Sequence, residues 1–144
     1  MAKNMIDKVR EFHQAFGHPV SDEITLSPFG VEDHQSLHDL RVKLIQEELD
    51  ELTDALGNGD IVEVADAISD LLYVVIGAGL VYGIPMEETF AEVHASNMTK
   101  LGEDGKPLLN GINTDLDPSK PLGKVVKGPN YRNPDIRSVL YPVS

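Results

Sequence analysis

Between Glu47 and Asp70 the sequence gathers Glu47, Glu48, Asp50, Glu51 and Asp54 and, beyond a Gly57-Asn58-Gly59 break, Glu63, Asp66 and Asp70. Carboxylates are hard oxygen donors. On helices, Glu48 and Glu51 share a face at i,i+3, while Glu63, Asp66 and Asp70 form an i, i+3, i+7 stripe. If the two stripes confront each other, the like charges are tolerable in a poorly hydrated cleft only when protonated or neutralised by a divalent cation. The chemistry suggested is Mg2+ or Mn2+ binding. Asp66 and Asp70 lie among Val62, Ala65, Ile68, Leu71 and Leu72, which predicts that both are half-buried and ranks them ahead of Glu63 as ligands. A merely solvated acidic face is the alternative reading of the same pattern. Zinc is disfavoured, because there is no cysteine and the His34/His38 pair lacks an HExxH glutamate.

Such donors need rods to carry them. Leu37, Leu40, Leu44, Ile45, Leu49, Leu52 and Leu56 recur at helical spacing from Asp33 to the Gly57 break, which predicts a helix of five turns or more. Asp60 is placed to cap a second helix through Ile61, Val64, Ala65, Ile68, Leu71, Leu72 and Val75, so the pair reads as a helical hairpin. Its most apolar run, Leu71 to Ile84, is shorter than a membrane span and suits a buried helix. Residues 4 to 16 read as an amphipathic helix through Ile6, Val9, Phe12 and Phe16. Pro85 opens another, whose Phe90, Val93 and Met98 are expected to face the core. His13, Phe16 and Phe29 are assigned to core or surface rather than to base stacking.

The remainder differs in composition. Residues 1–99 carry 5 basic against 19 acidic side chains, and residues 100–144 carry 7 against 5. Six of the nine prolines and five glycines fall after residue 100, which predicts a loop-rich arm with at most short extended pieces. The chain of 144 residues therefore reads as one domain, a helical catalytic core over 1–100 and an arm over 101–144. A formal charge of −12 disfavours nucleic-acid binding. The absence of cysteine and of an apolar leader run suits a cytoplasmic protein off the membrane. Lys100, Lys106, Lys124 and Lys127 concentrate cationic heads that suit phosphate oxygens. Asn97 and Lys100, one turn apart, can reach the same ligand, and Asn130 and Tyr131 can add an amide and an aromatic plate.

The runs Glu47-Glu48-Leu49-Asp50-Glu51, Glu63-Val64-Ala65-Asp66 and Asp70-Leu71-Leu72-Tyr73 resemble the EExxE…ExxD signature of the all-α nucleoside triphosphate pyrophosphohydrolases. That superfamily includes MazG-like enzymes, dimeric dUTPases and phosphoribosyl-ATP pyrophosphohydrolase. Ser96-Asn97-Met98-Thr99-Lys100, Asp104-Gly105-Lys106-Pro107 and Lys124-Val125-Val126-Lys127-Gly128-Pro129-Asn130-Tyr131 resemble its phosphoribosyl-ATP-pyrophosphohydrolase-like branch. Helix two offers both the Glu63–Asp66 spacing and Asp70 before Leu-Leu-Tyr, so the choice among Glu63, Asp66 and Asp70 stays open.

The resemblance implies an all-α fold in which the hairpin completes a four-helix bundle in a homodimer, or in a tetramer built from dimers. It implies Mg2+-dependent cleavage between the α and β phosphates of a nucleoside triphosphate, with dUTP or an altered-base nucleotide among the candidates. Glu48 and Glu51 would then ligate metal from helix one, and Glu47 would accept the proton of the attacking water. Phosphoribosyl-ATP pyrophosphohydrolase activity is the enzymatic alternative, and a non-catalytic nucleotide-binding adaptor is the alternative of another class.

Overall fold

Asn4 begins the first helix by accepting from the Asp7 backbone N–H at 2.8 Å while Asp7 accepts in return from the Asn4 N–H at 3.2 Å, a reciprocal cap. The helix, α1, runs Met5–Phe16 and ends at Gly17, whose φ of 73° provides the left-handed terminus. The computed structural model describes residues 2–28 and 34–143; Phe29 and Asp33 lie outside these. Among the described residues the protein is all-helical. After α1 come α2 (His34–Asn58), α3 (Ile61–Val81), α4 (Met86–Met98) and α5 (Ile136–Leu140). In place of strands there are isolated bridges, Leu109 with Val125 and Asn110 with Thr114.

The chain divides into two compact units, Met1–Pro85 and Met86–Ser144, so that α4 belongs with the C-terminal segment. In the first unit α3 packs against α2 and α1. Only Gly59 and Asp60 link α2 to α3: Gly59 turns the chain at φ 65°, and Asp60 accepts from the Val62 and Glu63 N–H groups at 3.0 and 3.3 Å. At the other end of α3, residues 21–25 satisfy its last carbonyls. Ser21 donates through Oγ to Val81 at 2.6 Å and through N–H to Leu80 at 3.0 Å, and Thr25 N–H donates to Tyr82. At its full length α3 is long and apolar enough to cross a membrane by length and composition, because the helix begins ten residues before the Leu71–Ile84 run considered alone.

The buried apolar residues are few: Val9, Ala55, Ala67, Leu80 and Val81. Leu40, Leu49, Leu56, Ile68, Leu72 and Val75 lie on exposed surface. The helical period is real, but within this unit each helix meets its neighbours over only part of its circumference, so part of a wide apolar stripe stays wet. Phe90, Val93 and Met98 are likewise exposed, because α4 uses its other face. There Ser96 is buried and donates through Oγ to the Arg132 carbonyl at 2.7 Å.

The second unit is held by backbone and polar contacts. The Arg132 guanidinium grips Glu92 with bonds of 2.9 and 3.2 Å, and Asp135 caps α5 by accepting from Ser138 N–H. Asn110, 1% exposed, organises the arm. Its amide donates to the carbonyls of Asp117, Lys120 and Pro121 at 3.1–3.2 Å, and its Oδ1 accepts from Asp117 N–H at 2.8 Å. Gly128 donates to the Lys100 carbonyl at 2.9 Å, and a Cβ there would collide with the Leu101 carbonyl oxygen.

Candidate metal centre

One carboxylate oxygen from each of Glu48, Glu51 and Asp70 comes within 4.8 Å of the others. Glu48 and Glu51 share a face of α2 at i,i+3. Asp70 reaches them from α3 because the short link fixes the register of the two helices. Glu48 is half-buried, and its Oε2 is enclosed with no hydrogen-bond partner. Burial raises the Glu48 carboxyl above the usual range, followed by the charge of Glu51, a hydrogen bond with Glu51, and the charges of Asp70 and Glu47. Asp70 is also raised, by burial first and then by Asp66 and Glu51. Three crowded carboxylates, one of which also carries an enclosed and unpartnered oxygen, fit a hard divalent cation.

The other sequence-derived ligands occupy different positions. Asp66 is exposed rather than half-buried, since its neighbours Val62 and Ile68 are exposed as well. With Glu63, Glu51 and Asp54 it lines an adjoining acidic cavity of about 270 Å³, and its charge bears on Asp70. Glu47 is exposed beside Glu48 on α2.

On the other flank of the trio a cavity of about 300 Å³ is bordered by Glu48 and Asp70 and continues to Arg41, His13, His18 and Tyr73. Composition and motif spacing gave no reason to place these four. The available signal was Arg41 itself, two turns before Glu48 on the same helix face in a half of the chain with few cations. Arg41 is 4% exposed. Its Nη2 donates to His18 Nδ1 at 3.2 Å, its Nε has no partner, and no carboxylate among the described residues pairs with it. His13 Nδ1 donates to the Pro19 carbonyl at 2.9 Å. Burial holds the His13 imidazole below its ordinary value against the opposing pull of that carbonyl, and Arg41 and His18 lower it further.

In the second unit Lys100, Lys120, Lys124 and Lys127 surround a cavity of about 330 Å³ closed by Val125 and Val126. Lys127 Nζ lies 4.8 Å from the Tyr131 ring centroid and Lys100 Nζ 6.0 Å, the range of cation–π attraction. Lys120, absent from the sequence reading, also pairs with Asp117 at 3.9 Å. Lys106, Asn97 and Asn130 are exposed and do not border this cavity.

A family profile described as phosphoribosyl-ATP pyrophosphohydrolase matches residues 9–97. The chain is also similar to an uncharacterized protein of Acanthamoeba polyphaga mimivirus, 42% identical over 79 residues, which make up 55% of this chain. The match spans 31% of that relative's length.

Proposed function

The chain belongs to the phosphoribosyl-ATP pyrophosphohydrolase family, part of the MazG-like all-α nucleoside triphosphate pyrophosphohydrolase superfamily, and from this premise we propose that it hydrolyses a (deoxy)nucleoside triphosphate between the α and β phosphates. Water adds across the anhydride, the bond from the α phosphorus to the bridging oxygen breaks, and a monophosphate and pyrophosphate leave. The observation that carries the reading is the Glu48–Glu51–Asp70 trio, together with the enclosed, unpartnered oxygen that Glu48 carries. These three residues would hold Mg2+, or Mn2+ in its place, with Asp66 and Glu63 alongside. When bound, the dications offset the phosphate charge and stabilise the charge that develops in the transition state.

The chain's own groups then have distinct tasks. Glu47, next to Glu48, takes the proton of the attacking water. Lys100, Lys124 and Lys127 attach phosphate oxygens as point charges, and Asn97, Lys106, Asn130 and Tyr131 complete the substrate contacts. The exposed apolar faces of α2 and α3 support association into a homodimer or a dimer of dimers, since the packing within one chain leaves them wet.

A panel of nucleoside triphosphates, including dUTP and altered-base analogues, assayed for pyrophosphate release with and without Mg2+, tests the proposal. Metal-dependent release is expected, and its absence across the panel overturns the reading. Phosphoribosyl-ATP belongs in the panel because the family is described by that substrate.

A further inference from the structure

We infer that the cavity beside the acidic trio seats the base of the nucleotide, and that Arg41 selects a pyrimidine with a carbonyl at C4, uracil or thymine, over cytosine. The inference rests on the hydrolase reading for the position of the phosphates and goes beyond it in naming the base and the residue that chooses it.

Two residues that line this cavity each carry an enclosed polar atom without a partner, and the two atoms are of opposite kinds: Glu48 Oε2 accepts and Arg41 Nε donates. Both residues are on α2, seven positions apart, about 10 Å along the helix axis. Glu48 would give its acceptor to the metal. What remains is a guanidinium almost removed from water, with no carboxylate beside it among the described residues, and a buried donor of that kind is costly unless a ligand supplies an acceptor. Arginine has only N–H donors to offer.

The remaining walls set the kind of ligand. Phe12 and Tyr73 meet edge to face with centroids 5.5 Å apart, giving an apolar aromatic surface for a flat ring. The far wall is closed. His13 is pinned by the Pro19 carbonyl, and its Nε2 fills the space that a side chain at position 77 would need, since a Cβ on Gly77 would come within 2.8 Å of it. His18 in turn takes one Arg41 donor and so fixes the guanidinium plane. A volume of about 300 Å³ is at the small end for ligand pockets and suits one ring rather than two.

Orientation follows from the pyrimidine itself. The sugar leaves from N1, and C4 is directly across the ring. With the phosphates at the trio, N1 faces Glu48 and Asp70, and the C4 substituent faces Arg41. A C4 carbonyl accepts from the guanidinium, whereas the cytosine C4 amino group would set donor against donor, leaving both buried and unpaired.

Equilibrium binding of the α,β-imido analogues of dUTP and dCTP, which bind without being cleaved, tests this on the full chain with Mg2+ present. The uracil analogue is expected to bind at least about tenfold more tightly, and Arg41→Met is expected to bring the two affinities together. Equal affinities in the wild type, or no binding of either analogue, overturn the assignment. If Arg41→Met does not fold, the wild-type ratio decides by itself. Pyrophosphate release from cleavable dUTP, measured in parallel, separates the two ideas: release with equal affinities sinks the base assignment alone, and no release with a retained preference sinks the hydrolase reading alone.

Discussion

Glu48 and Asp70 stand eleven residues on either side of Gly59, and their carboxylate oxygens meet within 4.8 Å. The equal spacing is what two helices folded back across a two-residue link produce. The geometry of the acidic trio is therefore set by the turn as much as by the acids.

Replacing either acid separates a role in chemistry from a role in folding. Glu48→Gln and Asp70→Asn should each lower kcat/KM by more than about a hundredfold, exceeding the loss of an outer-shell partner of a metal. The same variants should melt a few degrees higher without metal, because like-charge repulsion is relieved. Activity near the wild-type level in both would remove the trio from the site.

The raised carboxyls of Glu48 and Asp70 fix the sign of a pH effect. Their folded values are above the ordinary 4.5 and 3.8, so the folded chain holds protons that the unfolded chain has released. Stability from this source falls as pH rises from those ordinary values through the raised folded ones, and below that window the cost is absent. Glu92, Asp117 and Asp135 are lowered instead, chiefly by hydrogen bonds from Arg132, Ser119 and Ser138, and act in the opposite direction. The difference in melting temperature between wild type and Glu48→Gln, followed from pH 4 to 8 without metal, isolates the first effect. It should widen with pH and close on adding Mg2+.

Two glycines should respond oppositely to alanine. At Gly77 the new methyl would press on His13 Nε2 at 2.8 Å, and overpacking of this kind costs about 1–3 kcal/mol. At Gly57, inside α2, an added methyl would meet nothing within 4 Å, and the variant should gain up to about 1 kcal/mol from better helix propensity. Urea unfolding of the two variants checks both signs.

Asn110→Ala should loosen the arm rather than the helices. It strands three carbonyls and one N–H that Asn110 satisfies, a cost of about 2 kcal/mol or more. Hydrogen exchange should quicken through residues 108–126 and stay unchanged in α2 and α3.

The sequence was most informative where local chemistry decides. The Asp60 cap, the break at Gly57-Asn58-Gly59, which falls at Gly59 once the helix runs through Asn58, and the helix that follows Pro85 were all readable from residue types. The short helix α5 was not, because five residues between Pro134 and Pro142 show too little periodicity, although Asp135 is a readable cap once seen. Within the site, the shared face of Glu48 and Glu51 follows from spacing. That Asp70, not Asp66, closes the trio depends on the register across the link. Arg41, and the place of the buried His13 beside it, were missed because their burial comes from three segments meeting, and no single segment encodes it.

Gly128 donates to the Lys100 carbonyl and lies flat against Leu101, so two ammonium side chains 27 positions apart in sequence, those of Lys100 and Lys127, are neighbours before any anion arrives. Their mutual repulsion is borne when the chain folds. Added salt should therefore steady this segment by screening the same charges.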